Sequence, residues 1–97
     1  MEQTRLGFVG IVVEDRRMAG QVNDILSAFG GMIRGRIGVP DQATGHGVIG
    51  LIVEGSNEQV GALTGRLGNL PGVTVKSALT GKRGAKPPTT TNGGIDP

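Results

Sequence analysis

The chain states one strand pattern twice. Residues 7–14 read GFVGIVVE and residues 47–54 read GVIGLIVE; four of the eight positions are identical and the other four exchange one apolar residue for another. Each octet leads into a helix-like stretch and then into a further apolar run. One supersecondary unit therefore occurs twice, and the two copies must stack to bury their apolar faces.

Leu6 to Val13, rich in Val, Ile and Phe, reads as the first strand. Asp15 is placed to cap a helix, and Met18, Val22, Ile25, Leu26 and Phe29 follow at helical spacing, with Gly30 as its stop. Met32 to Val39 is the second strand, closed by Pro40, and Asp41 to Gly47 is a polar connection. Val48 to Glu54 is the third strand. Ser56 with Gln59 three residues later forms a capping box. Val60, Leu63, Leu67 and Leu70 then mark a second helix, ended by Gly68 and Pro71, and Val73 to Leu79 is the fourth strand. The order β-α-β-β-α-β predicts an α+β protein, a ferredoxin-like sandwich with an antiparallel sheet.

Side-chain alternation orders the strands. The first and third are apolar on both faces: Phe8 and Val12 against Val9, Ile11 and Val13; Val48 and Ile52 against Ile49, Leu51 and Val53. The second and fourth are apolar on one face only, with Ile33, Ile37 and Val39 opposed to Met32, Arg34 and Arg36, and Val73, Val75 and Leu79 opposed to Thr74, Lys76 and Ala78. Doubly apolar strands belong in the centre, which predicts the order 4-1-3-2. Right-handed crossovers put both helices on one face. The other face then carries apolar residues that nothing in the chain covers, and a second copy is the simplest cover, giving a homo-oligomer, dimer or tetramer.

Composition narrows the function classes. Ninety-seven residues make one small domain, expected over residues 1–80, with a Gly-, Pro- and Thr-rich tail over 81–97 too poor in apolar residues to fold alone. Cysteine is absent, which removes disulfides, thiol nucleophiles and iron–sulfur ligation. No apolar run approaches the ~20 residues of a membrane span, and the polar start lacks a signal peptide, so a cytoplasmic location is expected. Residues 1–80 carry seven basic and seven acidic side chains, while the tail carries Lys82, Arg83 and Lys86 against Asp96. A neutral body argues against a broad nucleic-acid surface, and three tail charges would give only weak, salt-sensitive binding.

The residues for catalysis are sparse. His46 is the single histidine and has no GxSxG-type turn to serve, so a solvated loop histidine is the simpler reading. Glu14 and Glu54 hold equivalent places at the ends of the two central strands; such a pair would serve as acid and base, but a polar residue where a strand leaves the sheet is the ordinary pattern. His46, Asp41 and Glu54 have no ligand-like spacing, so neither a metal nor a cofactor is expected. Gly30, Gly31, Gly35 and Gly38 do not form a dinucleotide fingerprint, which must open a helix after a strand. Gly61 and Gly65 suggest close packing of the second helix, and Gly10 and Gly50 a close approach by another backbone or a ligand. Arg34 and Arg36, two apart, are expected on the open face of the second strand, where they would clamp a carboxylate or phosphate or simply charge an edge.

The segments VGIVVEDRR, VNDILSAFG, IRGRIGVP and GLIVEGSNEQVGALTGRLGNLPGVTVKSAL resemble the iron-only hydrogenase system regulator family, over about residues 6–79 and most specifically in Leu63 to Leu79. That family is similar to the ACT domain and to the C-terminal domain of the nickel-responsive repressor. The resemblance implies a non-catalytic, oligomeric regulator that binds a small effector, as ACT-like domains do at subunit interfaces, or a protein partner. One histidine and no cysteine do not support the repressor's nickel site, and a first strand starting near Leu6 leaves no place for its DNA-binding domain. The glycine-containing turn of many ACT domains is replaced by Glu14-Asp15-Arg16-Arg17. The expected ligand surface thus combines Asp15, Arg16 and Arg17 with Arg34, Arg36 and His46. The alternative is a transcriptional regulator that touches DNA through its basic tail.

Overall fold

The computed structural model describes residues 4–80. The basic tail lies outside the described residues. Strands β1 (Arg5–Val13), β2 (Ile33–Pro40), β3 (Gly47–Gly55) and β4 (Val73–Leu79) form one antiparallel sheet in the order β2-β3-β1-β4. Helices α1 (Ala19–Ala28) and α2 (Asn57–Gly68) complete the ferredoxin-like arrangement. The doubly apolar strands are central, as the alternation predicts.

The two repeats pair with each other, and the register shows how. Gly10 lies directly opposite Gly50, and these two glycines are equivalent in the repeat. The pseudo-twofold relating the halves therefore passes through this pair. Phe8, whose counterpart is Val48, leans its ring over both glycines: a Cβ on Gly50 would lie 3.0 Å from Phe8 Cε1 and one on Gly10 would lie 3.2 Å from Cε2. The close approach expected at these glycines is made by the chain's own aromatic ring.

One face of the sheet carries the core. Val9, Ile11, Leu51 and Val53 are fully buried against Val22 and Leu26 of α1 and Val60, Leu63 and Leu67 of α2. Helix α2 starts from the expected capping box, with the Gln59 N–H donating to Ser56 Oγ (3.1 Å) and the Ser56 N–H to Gln59 Oε1 (2.8 Å). Burial of this row supplies most of the folding drive at about 25 cal/mol per Å² of apolar surface.

The opposite face is open and apolar. Leu6, Phe8, Ile37, Val39, Val48 and Ile52 are the exposed large hydrophobics, 44–66% exposed. The strand pairings put all six on this one face, because residues directly opposite in a ladder share a side.

Strand β2 departs from simple alternation. Ile33 pairs with Val53 and Gly35 with Ile52, so Arg34 is the extra residue of a β-bulge. Beyond it the sides exchange: Arg36 stands beside Leu51 on the helix side, while Ile37 and Val39 join Gly50 and Val48 on the open side. The expectation that Arg34 and Arg36 share the open face is corrected accordingly, as is the grouping of Ile33 with Ile37 and Val39. Met32 belongs to no strand; it ends a 3₁₀ turn (Gly30–Met32) and is buried in the core. Gly61 and Gly65 do not serve close packing either. A Cβ at either would meet nothing within 4 Å, and they leave an open groove beside β4.

Candidate functional site

Strand β1 does not pass directly into α1. Asp15 caps a 3₁₀ turn (Arg16–Met18) that precedes the helix, accepting from the Arg17 N–H at 3.0 Å. The turn is held from below: the Glu14 N–H donates to Gly72 O (2.7 Å), and Gly72 has φ +71. A Cβ there would come within 2.8 Å of Asp15 Cβ, so only glycine allows both the conformation and the contact.

The β2–β3 connection is also built. The Asp41 N–H donates to His46 O and the Gly45 N–H to Asp41 O, both at 2.7 Å. The Asp41 carboxylate accepts from the Thr44 hydroxyl and from the Thr44 N–H (3.2 Å), and the His46 N–H donates to Thr44 Oγ1 (3.2 Å). The Thr44 hydroxyl bond, helped by its backbone N–H, holds Asp41 below the usual carboxylate range.

Turn and loop face each other at the end of the sheet where β1 finishes and β3 begins. Between them lies a pocket of about 740 Å³, within the range of small-molecule sites. Val13, Val22 and Ile49 supply apolar wall; Arg16, Asn23, Gln42 and His46 supply polar groups.

The six residues singled out from the sequence are divided by this geometry. Arg16 and His46 line the pocket together. Arg36 stands beside it, its Nη2 donating to Asn23 Oδ1 at 3.1 Å. Asp15 and Arg17 are not among the lining residues; they pair with each other through two 3.0 Å side-chain bonds. The Arg17 side-chain bond holds the Asp15 carboxyl low as well. Arg34 is at the far end of the sheet, bound to Glu54 at 3.2 Å. Glu54 also accepts from Thr4 (3.3 Å). Asn23 and Gln42 were missed. Asn23 follows Ala19 by four residues and so shares its helix face, which is a legible signal, whereas Gln42 carries none.

The carboxylates conceived as an acid–base pair do not meet. Glu54 lies opposite Leu6, while Glu14 follows the other end of β1, eight residues further along. At ~3.4 Å per residue that is roughly 27 Å, far beyond cooperation within one chain. Among the described residues no group of three or more His, Asp or Glu side chains is placed to hold a metal ion. No helix among them is long and apolar enough to cross a membrane.

A family profile described as "TM1266-like: Iron-only hydrogenase system regulator, putative" matches residues 5–77. The chain belongs to the TM1266-like family. The structure of the uncharacterized protein TM1266 from Thermotoga maritima is 38% identical to it, covering 78% of this chain and 96% of that one with a TM-score of 0.75. An unknown protein from Galdieria sulphuraria shares the fold at 14% identity and a TM-score of 0.56, over 80% of this chain and 46% of that one. CPII from Thiomonas intermedia K12, solved with ADP, AMP and acetate, aligns at a TM-score of 0.43 and 18% identity, over 84% and 93% of the two chains, too distant to bear on this one. No curated protein matches the sequence. Among TM1266-like proteins, then, this chain offers a regulator's fold with a defined pocket beside its longest loop.

Proposed function

We infer that this TM1266-like chain is a non-catalytic regulatory module that assembles with further copies of itself and binds a small effector. The observation that carries the reading is the pocket between the Arg16–Met18 turn and the Asp41–His46 loop, with apolar walls and a few polar groups at its rim. Such a composition suits reversible binding of a small molecule. The distance between Glu14 and Glu54 speaks against their serving as an acid–base pair within one chain.

Assembly is supported by the open sheet face. Six large hydrophobics on one side of a small sheet form a contiguous apolar patch of the kind that marks an interaction surface. Residues on the two edges, Ile37 and Lys76, frame it. Sedimentation velocity is expected to show a dimer or tetramer, and Ile37→Glu, on an already exposed side chain, should shift it toward monomer. A wild-type monomer at micromolar concentration would remove the assembly reading.

The effector reading is tested by a thermal-shift screen of the full chain against amino acids, other small carboxylates, nucleotides and divalent metals. A ligand at ~100 times its Kd adds roughly 2.7 kcal/mol to the state that binds it. A shift from one class, lost in His46→Ala, supports the reading. A flat screen overturns it.

A further inference from the structure

We propose that the pocket takes a small organic anion, one negatively charged head group on a compact apolar body. This rests on the reading of the pocket as an effector site and names the chemistry that the site selects.

Donors dominate the rim. Arg17, Arg34, Arg36 and Arg66 each have a partner: Asp15, Glu54, Asn23 and the Phe29 ring. Arg16 lines the pocket, and its side chain has no hydrogen-bond or ion-pair partner among the described residues, its carbonyl alone accepting from the Ala19 N–H. A guanidinium presents five N–H donors in a fixed fork suited to carboxylate or phosphate oxygens.

The bulge in β2 adds a second donor. By turning Arg36 to the helix side it brings that guanidinium to Asn23, and a guanidinium can only donate. The Asn23 atom it meets must therefore be the carbonyl oxygen, which leaves the amide N–H groups for another acceptor. Arg36 acts as a positioning residue that turns Asn23 into a donor toward the pocket.

Two further groups at the rim bear on the charge of the ligand. His46 is fixed through its backbone, whose N–H and C=O are both bonded within the loop, so the imidazole has a defined starting point. Asp41, the one carboxylate among the lining residues, accepts two bonds from Thr44 and keeps its negative charge; it counts against an anion, and the Arg16 guanidinium and the Asn23 amide must outweigh it. Below the rim, Val13, Val22 and Ile49 offer a surface that an inorganic ion would leave unused and a hydrocarbon body would cover.

The test is calorimetric titration of the full chain with isovalerate and phenylacetate, each against its neutral primary amide, and with inorganic phosphate. The carboxylates are expected to bind at least about tenfold more tightly than their amides, as a charge-assisted hydrogen bond implies. Phosphate should bind more weakly than either carboxylate. Arg16→Ala should weaken carboxylate binding by about 10- to 100-fold, Arg36→Ala by less, and Arg17→Ala, which is paired outside the pocket, not at all. Amides that bind as well as the carboxylates would overturn the anion assignment while leaving an effector pocket in place. Failure of all probes in a protein that gives a thermal shift with another ligand class would do the same. Failure of every ligand in both experiments would remove the effector reading itself.

Discussion

The two halves of this molecule begin alike and then diverge. After β3 the chain enters α2 at once, with Ser56 and Gln59 closing the helix start on each other. After β1 it takes a 3₁₀ turn first, so that α1 begins at Ala19, two residues later than the repeat offset of 40 would place it. The consequence is spatial. Gly55 and Ser56 are buried, and a Cβ on Gly55 would meet Gln59 Oε1 at 3.0 Å and Met32 Sδ at 3.3 Å. The corresponding place in the first half is Asp15 and Arg16, and Arg16 opens onto the pocket. The strand after each helix repeats the contrast, β2 bulged and β4 regular. One copy of the unit keeps the regular geometry that stabilises the fold, and the other departs from it at the turn after β1, beside the pocket, and at the bulge of β2. Departures from local regularity are where function is expected in a chain otherwise consistent with its fold.

The largest expected effect tests whether the halves share one core. Ile11 and Leu51 are repeat-equivalent, and both are fully buried. Ile11→Ala and Leu51→Ala should each cost about 2–5 kcal/mol in urea unfolding, through one cooperative transition. Two separate transitions would break the comparison by making the halves independent.

Next comes the closed helix start. Ser56→Ala removes the cap and should cost about 1 kcal/mol. Asp15→Ala, at a three-residue turn with an exposed ion-pair partner, should cost less, and equal costs would mean that the first turn is as tightly specified as the second. Gly65→Ala tests the open groove beside β4. With nothing within 4 Å of the added Cβ, helix propensity alone should stabilise the chain by about 0.5–1 kcal/mol, and a loss would show that a partner needs the groove.

The smallest effect is on the loop. Asp41 is held low in the folded state, so its contribution to stability is fully present above the usual carboxylate range and is lost as pH falls through its lower folded value. Amide signals of Thr44 and His46 should therefore change only below about pH 4. A change centred higher would show that the Thr44 bonds do not hold in solution.

Most of the fold was legible because the repeat, the capping box and the alternation in β1 and β3 are local and mutually consistent. Strand β2 was not, because a bulge leaves the residue types unchanged while reversing every side after it. An isolated Gly35 between two arginines was the available sign. The same bulge puts Arg34 and Arg36 on opposite sides of the sheet, while Asp15 and Arg17 stay off the pocket lining because they pair with each other. Arg16 and His46, grouped from the sequence, do line one pocket, since antiparallel central strands bring the end of one to the start of the other. Helix spacing was enough to put Asn23 on the face of Ala19, but its bond with Arg36 was beyond strand periodicity, because the bulge sets the side on which Arg36 stands.

The most direct test of the account is amide chemical-shift mapping of the full chain with a ligand that stabilises it. Perturbations confined to residues 13–23 and 40–49, with Gly55 to Gln59 silent, are the predicted result and would locate binding in the irregular half. Shifts concentrated at Gly55 to Gln59, or on the open face around Phe8 and Ile52, would contradict it.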